Sequence, residues 1–544
     1  MIDPGGYDSL GELLRDAIVQ FKSNTALIEA NRKAESGRWT FLDFKRAADP
    51  VAARLQSLGI GAGDRVAMVM SNQSKWLIAA YAVFYRGAVL VPLDFKLEAA
   101  DQAALIAHAK PSLVVVEYPL FRRFEGIAAP CVIVTEAPEG ADLGAALRWE
   151  DVDESATAEF VPRQRTDLAT IVYSSGTGGT PKGCMLSHRA YLSQLGSLLE
   201  RFPMAPGDRY FSILPTNHAI DFMCGFVGPF VCGATVVHQR TLRPEMILAT
   251  MKRYEITHMS VVPVVLTAFE RAIKEKLDDL PEWKRWAVDA MMATGLPSPV
   301  RSAFGGKLRM MFCGGAPTDR KLAEFFNELG IPVVVGYGLT EACTVLTVNR
   351  LSPFRADSVG CPVDGVEIRI AGAGPGGIGE VQVRGPTLMD GYLDAPELTA
   401  ETLVDGWLHT GDLGWMDASD HLHLVGRSKN MIVTAGGKNV YPEDIEGAFG
   451  GVGFDELAIY ATNYLWPAGG LEFGDLIAVV RADDVQGART AIRSQNHKLP
   501  DFKRVAGVIA WPEPFPRTAS MKLKRGVLAE ALRSQLGRDA VEVL

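Results

Sequence analysis

The sequence predicts an α/β protein with largely parallel sheets covered by helices, and three observations predict it. Short apolar runs alternate with longer amphipathic stretches through most of the chain before Ser358. Between Ser358 and Val425 the texture changes to closely spaced strands and turns, and near residue 427 the charge balance changes.

The first helix is marked by Leu10, Leu13, Leu14, Ala17, Ile18 and Phe21, whose spacing puts one apolar face on a helix. DRVAMVMSN, QSKWLIAAYAVFYRG and AVLVPLD then read as strand, helix, strand, the unit that builds a parallel sheet. Similar runs follow at SLVVVE, CVIVTE, HMSVVP and LRMMFCGGA. The charge-free stretch from Phe222 to Val237 is shorter than the roughly 18 residues that a membrane span needs. It is also broken by Gly225, Gly228, Pro229 and Gly233, so a buried strand or pocket wall is expected and no transmembrane segment. VEIRIAGAGPGGIGEVQVRG reads as a hairpin. Its Gly372, Gly374 and Gly377 match G-x-G-x-x-G, but a strand follows them where a pyrophosphate site needs a helix N-terminus, so they read as turn glycines.

Charge and composition bound the function. Across 544 residues, 55 Lys and Arg face 64 Asp and Glu for a net charge of −9, with 48% of residues hydrophobic and 22% charged. Such a chain is neither disordered nor a small disulfide scaffold, and at roughly 100–200 residues per domain it holds several cores. The acidic balance argues against nucleic acid or anionic membrane as a partner. Residues 428–544 contain 14 Lys and Arg and 14 Asp and Glu, so the whole deficit lies on residues 1–427 and a domain boundary is expected there. Within that second part, Arg489, Arg493, Lys498, Lys503, Arg504, Arg517, Lys522, Lys524 and Arg525 face only Asp501 and Glu513. This is either a basic face suited to polyphosphate ligands or an ordinary solvated one. Seven cysteines, odd in number and without a C-x-x-C pair, read as reduced thiols. With no signal peptide visible in MIDPGGYDSLGELLRD, the expected location is cytoplasmic.

The most informative stretch is TIVYSSGTGGTPKGCMLSH. An apolar run from Ala169 to Tyr173 ends in Ser174, Ser175, Gly176, Thr177, Gly178, Gly179 and Thr180, followed by Pro181, Lys182 and Gly183. Backbone N–H groups and hydroxyls in such a loop wrap phosphate oxygens, and a lysine adds compact positive charge. It is not a Walker A loop, because Pro181 precedes the lysine and Gly183 follows it. A polar surface turn is the competing reading of this segment taken alone. Further on, Cys313, Gly314, Gly315, Ala316 and Pro317 close an apolar strand with residues that let a flat base lie on backbone. Asp412, after His409, Thr410 and Gly411, reads as a loop carboxylate that can accept two ribose hydroxyls. The histidines show no metal-ligand spacing, so no zinc site is expected.

Five motifs occur in one order along nearly the full chain: YSSGTGGTPKG at 173–183, YGLTE at 337–341, HTGDLG at 409–414, GRSKNMIVTAGGKNVYPEDIE at 426–446 and PRTASMKLKR at 516–525. In this the chain resembles the adenylate-forming superfamily of acyl-CoA ligases, peptide-synthetase adenylation domains and firefly luciferase. Two departures are visible: Gly178 stands where the family loop usually has a second Thr, and Met521 where the family has Gly.

The resemblance implies a large N-terminal domain (1–427) of two α/β sheet subdomains plus a small β-rich subdomain (about 358–425), then a small mobile α+β domain (428–544). It implies ATP and Mg2+ as reactants and CoA as the thiol co-substrate, with a small-molecule carboxylic acid activated as acyl-AMP. ATP contacts are implied at Ser174, Ser175, Gly176, Thr177, Gly179 and Lys182, around adenine at Gly314, Gly315, Ala316, Pro317, Tyr337 and Gly338, and at the ribose from Asp412 with Arg427. Thr340 meets the α-phosphate and Glu341 the Mg2+, while Lys522 is the catalytic lysine that stabilises charge growing on the α-phosphorus. His218 borders the acyl pocket, and Gly338 is expected to leave that pocket open where acetate-specific members carry Trp. Lys429 is the implied hinge, and Gly436, Gly437 and Lys438 the implied wall of a CoA tunnel. A medium- or long-chain fatty acid is the expected substrate. An aryl or cyclic acid and an acyl-AMP ligase loading a carrier protein are the alternatives, and a homodimer is compatible with either.

Overall fold

The structure is a computed structural model that describes residues 2–31, 35–124, 126–174, 181–241, 243–281, 299–374, 376–433, 438–449, 454–466, 475–518 and 523–544. The chain divides into two compact units, Met1–Glu367 with Val383–Leu408, and Ile368–Gln382 with His409–Leu544.

In the first unit the α/β expectation holds. Arg65–Val69, Val89–Leu93, Leu113–Glu117, Val132–Thr135, Leu147–Arg148 and Leu168–Ser174 are the parallel strands of an eight-stranded sheet. A nine-stranded sheet is parallel through Thr25–Ala30, Thr235–Gln239, Arg209–Ser212, His258–Val261, Met310–Cys313 and Val333–Tyr337. Val89–Leu93, Leu113–Glu117, Thr235–Gln239 and His258–Val261 are buried at every position, as strands covered on both faces must be. Antiparallel strands close the edges. Lys182–Ser187 returns against Leu168–Ser174, Gly391–Tyr392 adds to it, and Glu35–Thr40 flanks Thr25–Ala30.

The first helix runs Leu10–Gln20 and buries the predicted Leu10, Leu13, Leu14, Ala17 and Ile18, with Ser9 capping its N-terminus through Glu12 N–H at 3.2 Å. Thr40 and Asp43 form a reciprocal capping box at the head of Phe41–Ser57. The stretch expected as a strand or pocket wall departs in part. Only Thr235–Gln239 is strand, and before it the chain turns through Ala219–Phe222, a π-helical Met223–Val227 and Gly228–Cys232, all buried from Phe222 onward. This helical segment supplies Phe226 and Phe230 to an aromatic cluster, the Phe230 ring lying 5.0 Å from Phe41, 4.9 Å from Phe44 and 4.9 Å from Phe226. Among the described residues no helix is long and apolar enough to cross a membrane.

The second unit has a four-stranded sheet of Glu456–Ala461, Leu476–Arg481, Val505–Ala510 and Glu542–Val543, with only the middle pair parallel. Helices Pro442–Ala448, Val485–Asn496 and Arg525–Gln535 accompany it. Gly372 and Gly377 sit at φ +61 and +76 between the strands Glu367–Ala371 and Gly379–Arg384, as turn glycines should. The basic cluster read from sequence is largely paired within this unit: Arg489 with Glu542, Lys503 with Asp444, Arg504 with Asp501, Arg517 with Glu456, and Arg525 with Glu446. Five of its eight described cations thus have carboxylate partners, three of these partners lying between 443 and 456, outside the window that showed only Asp501 and Glu513.

Phe230→Ala is expected to destabilise the chain by roughly 3–5 kcal/mol, because the cluster around a fully buried ring cannot collapse onto the void. Urea unfolding of the two proteins measures it, and a loss under about 1 kcal/mol shows that the cluster adapts.

Candidate functional site

A parallel sheet buries both faces, so its polar chemistry gathers where strands end. Ser174 is the last residue of its strand, paired directly across the hairpin with Lys182, the first of the next. The cradle residues Ser175, Gly176, Thr177 and Gly179 lie outside the described residues, but this pairing fixes where the loop leaves and returns. Ser174 Oγ donates to Glu341 Oε1 at 3.3 Å, and the Tyr392 hydroxyl donates to the same oxygen at 3.1 Å. Glu341 sits in the 3-10 turn Thr340–Ala342, beside the half-buried Thr340, and its carbonyl accepts from Met389 N–H at 2.9 Å. Lys182 Nζ lies 5.1 Å from the centre of the Tyr392 ring. Burial, and then the charge of Glu341, hold the Tyr392 phenol well above its ordinary pKa. Sequence reading missed Tyr392. It joins the site through Gly391–Tyr392, a two-residue edge strand 51 residues beyond Glu341, and no local pattern marks it.

Glu341 brings one carboxylate, and no group of three or more His, Cys, Asp and Glu able to hold a metal ion occurs among the described residues. That donor set fits Mg2+, a hard cation that takes most of its oxygens from phosphate and water.

Gly314, Gly315, Ala316 and Pro317 follow the strand Met310–Cys313, and Tyr337 ends its parallel neighbour Val333–Tyr337. Gly314 and Ala316 are half-buried while Gly315 and Pro317 are exposed, so backbone is available at this edge to a flat ligand. Gly338 corrects an expectation. A Cβ built there would lie 1.7 Å from Thr344 O and 2.9 Å from Val345 Cα, so the face without a side chain meets backbone, not an open acyl pocket. The glycine lets the chain fold back on itself beside Tyr337, where Leu346 N–H donates to Tyr337 O at 2.8 Å.

His218 is half-buried ahead of the turn Ala219–Phe222, its N–H donating to Pro215 O at 2.8 Å and its carbonyl accepting from Phe222 N–H at 3.0 Å. The loop before it is pinned from the other sheet by Asn72, which donates to Leu214 O at 2.6 Å and accepts from Thr216 N–H at 2.8 Å. Three residues on lies a group that sequence reading passed over, the fully buried Asp221. It accepts from Ser212 Oγ at 2.6 Å and Thr216 Oγ1 at 3.1 Å, and burial pushes its carboxyl up to about 7.

In the second unit, Asp412 and Arg427 face each other across the antiparallel strands Trp407–Met416 and Leu422–Arg427, with Arg427 Nε 2.8 Å from Asp412 Oδ1. Asp412 is therefore in a strand, not the loop expected from its Gly neighbours; cross-strand pairing outweighs the local turn signal. Asp412 is buried and its N–H donates to Thr410 Oγ1 at 3.0 Å. Lys429 is exposed in the turn Ser428–Asn430, and Lys438 is exposed just before Asn439–Val440. Gly436, Gly437 and Lys522 lie outside the described residues.

Comparison with known proteins places this geometry. The family described as AMP-binding enzyme matches residues 14–393. A 2-succinylbenzoate--CoA ligase of Bacillus licheniformis is 30% identical over 417 residues, 75% of this chain and 78% of that protein. A Mycobacterium tuberculosis CoA ligase named for a methyl-dioxo-octahydroindenyl propanoate is 30% identical over 537 residues, 94% of this chain and 96% of its own length. ATP-bound MatB of Rhodopseudomonas palustris superposes with a TM-score of 0.79 at 25% identity, over 96% of this chain and 99% of that one. Other relatives are named for feruloyl and long-chain fatty acyl groups.

Gly338→Ala is expected to lower AMP formation by roughly tenfold or more with every acid alike, since any side chain displaces the Thr344 backbone. Measuring kcat/KM across acids of increasing size tests this, and a selective loss of the larger acids restores Gly338 to the acyl pocket.

A second expectation concerns pH. The folded chain keeps a proton on Asp221 that the unfolded chain releases from about pH 4, so stability falls as pH rises toward 7 and levels off above it. Asp221→Asn keeps an acceptor for Ser212 and Thr216 and is expected to flatten that fall. Denaturation curves across about pH 4 to 8 decide it; parallel slopes in both proteins remove Asp221 as the cause.

Proposed function

The chain belongs to the family of AMP-binding enzymes and is an AMP-forming acid-CoA ligase, and from that premise we propose that it activates an apolar carboxylic acid larger than acetate. In the first half-reaction a carboxylate oxygen attacks the α-phosphorus of ATP, the bond to the bridging oxygen breaks, and pyrophosphate leaves. In the second, the thiolate of CoA attacks the acyl carbon, and AMP departs with the electrons of the anhydride bond. A free carboxylate is a poor electrophile, and the anhydride supplies a leaving group whose charge is already stabilised.

The roles are those the family resemblance implies, supported at Ser174, Lys182 and Glu341 by the contacts described above. The loop between Ser174 and Lys182 holds the β- and γ-phosphates, and Mg2+ bound at Glu341 supplies charge neutralisation at the phosphate oxygens. Ser174 and Tyr392 orient the Glu341 carboxylate, and the observation that carries the reading is this convergence of two donors on one oxygen at the edge where Lys182 enters. Gly314 to Pro317 and Tyr337 take the adenine, Thr340 the α-phosphate, and Asp412 with Arg427 the ribose. Lys522 stabilises the α-phosphorus as charge builds. The 428–544 domain turns about Lys429 between the half-reactions, exchanging Lys522 for Gly436, Gly437 and Lys438, which line the pantetheine path.

A medium- or long-chain fatty acid is the first reading, supported by a relative named for long-chain fatty acids, with His218 bordering the acyl pocket. A ring-bearing acid is the second reading, favoured by the relative that matches 94% of this chain and is named for one. A panel of fatty, aromatic and fused-ring acids, scored by AMP released with CoA and with a holo carrier protein, separates these readings. Acid-dependent exchange of pyrophosphate into ATP with none of them overturns the activity itself. Lys522→Ala is expected to abolish acyl-AMP formation while sparing thioester formation from supplied acyl-AMP. Equal loss in both half-reactions sinks the two-orientation mechanism.

A further inference from the structure

The loop that carries His218 runs from the end of the strand Arg209–Ser212 to the turn Ala219–Phe222. Its buried positions recur at every third residue, Ile213, Thr216 and Ala219, while Leu214, Pro215, Asn217 and His218 stay half-buried. Thr216 is the most deeply buried of the three, at 1% exposed, and a polar residue at such a point is held there by what it bonds.

Four residues close a ring of hydrogen bonds at this point. Thr216 N–H donates to Asn72 Oδ1 at 2.8 Å, and Thr216 Oγ1 donates to Asp221 Oδ2 at 3.1 Å. Ser212 Oγ donates to the same Asp221 oxygen at 2.6 Å. Asn72 Nδ2 completes the ring at Ser212 Oγ, 3.3 Å away, and also holds Leu214 O at 2.6 Å. All four residues are buried, Ser212 and Asp221 completely. Because Asp221 Oδ2 takes both hydroxyls, a proton on the carboxyl occupies Oδ1, and the ring is kept whether the group is charged or neutral. Asn72 reaches the loop from the other sheet, between the strand Arg65–Val69 and the helix Ser74–Tyr85. Apolar side chains would anchor a loop with less desolvation but without fixed directions, whereas a connected polar ring specifies one position for each member.

We infer that Asn72, Ser212, Thr216 and Asp221 are positioning residues for the acid substrate, acting through this loop on His218. The inference rests on the place proposed above for His218 at the acyl pocket. The acid has to be bound with its carboxylate directed at the α-phosphorus, and a displacement of about 1 Å costs on the order of a hundredfold, so the loop beside it is fixed more closely than stability alone demands. Asn72 makes acceptance of the acid depend on a residue of the other sheet, 144 residues from Thr216 in sequence.

Steady-state kinetics of AMP formation by the full-length chain test it, with octanoate, palmitate, benzoate and a fused-ring propanoate as probes and the acid turned over fastest taken forward. Thr216→Val keeps the bulk and the N–H donor but loses the hydroxyl. It is expected to raise KM for that acid roughly threefold to tenfold, the worth of one buried hydrogen bond, with KM for ATP and the thermal midpoint near wild type. Thr216→Ser restores the hydroxyl and is expected to bring KM for the acid back to within about twofold of wild type. Asn72→Ala is expected to raise the same KM at least as far, and where it does not fold the two Thr216 variants decide. A merely structural role moves KM for ATP and for the acid together, or lowers the midpoint with both unchanged, and either result overturns the inference. Turnover with an unmoved acid KM in Thr216→Val overturns the positioning role alone, whereas no AMP formation with any probe overturns the proposed function with it.

Discussion

A parallel sheet has to bury both of its faces, and that constraint arranges the rest of the first unit. Strands such as Val89–Leu93 and His258–Val261 have no exposed position, so they offer no room along their length for reactive groups. Polar chemistry is displaced to the strand ends, where Ser174, Gly314 and Tyr337 come to lie. Two polar groups that enter the interior are held by partners. Asp221 is accepted there because Ser212 and Thr216 donate to it and because burial favours its protonated form. Asn72 crosses from one sheet to the loop of the other and satisfies the Leu214 carbonyl and the Thr216 N–H together.

The same constraint explains how much of the fold was legible. Continuous apolar runs between amphipathic stretches mean buried strands under helices, and that pattern is strong enough to read without any tertiary information. Phe222 to Cys232 was harder, because a glycine-broken, charge-free run has no helical period. Its conformation depends on packing: Gly225 lies so close to Asp221 that a Cβ would fall 2.6 Å from Oδ1, and Phe230 is drawn to the rings of Phe41 and Phe44 on the helix Phe41–Ser57. The basic cluster failed differently. A count of charges in a window is blind to pairing, and Arg525, which looks solvated in sequence, is half-buried against Glu446 from 79 residues away.

At the candidate site, contiguous motifs were legible and single residues were ambiguous. A glycine makes room, but sequence does not say for what. At Gly338 the room is taken by the Thr344 carbonyl rather than by substrate. Asp412 was recognised for its carboxylate yet assigned to a loop, since Gly-Asp-x-Gly signals a turn until a facing strand competes for its backbone. Tyr392 was invisible because its role exists only through the edge pairing of Gly391–Tyr392 with Lys182–Ser187.

That edge pairing also sets the direction of a hydrogen-bond relay. Cys184 Sγ donates to Ser174 Oγ at 3.8 Å, Ser174 donates to Glu341, and Tyr392 donates to the same carboxylate oxygen from the other side. Burial together with the charge of Glu341 raises both the Cys184 thiol and the Tyr392 phenol, so neither gives up its proton near neutrality. With both ends fixed as donors, the Ser174 hydrogen has one acceptor to turn to, and Glu341 keeps a constant orientation. A carboxylate that must offer an oxygen to a hard cation only while phosphate is present gains from this arrangement. Its geometry is set by groups that do not titrate in the working range, leaving arrival of the nucleotide as the variable that changes its environment.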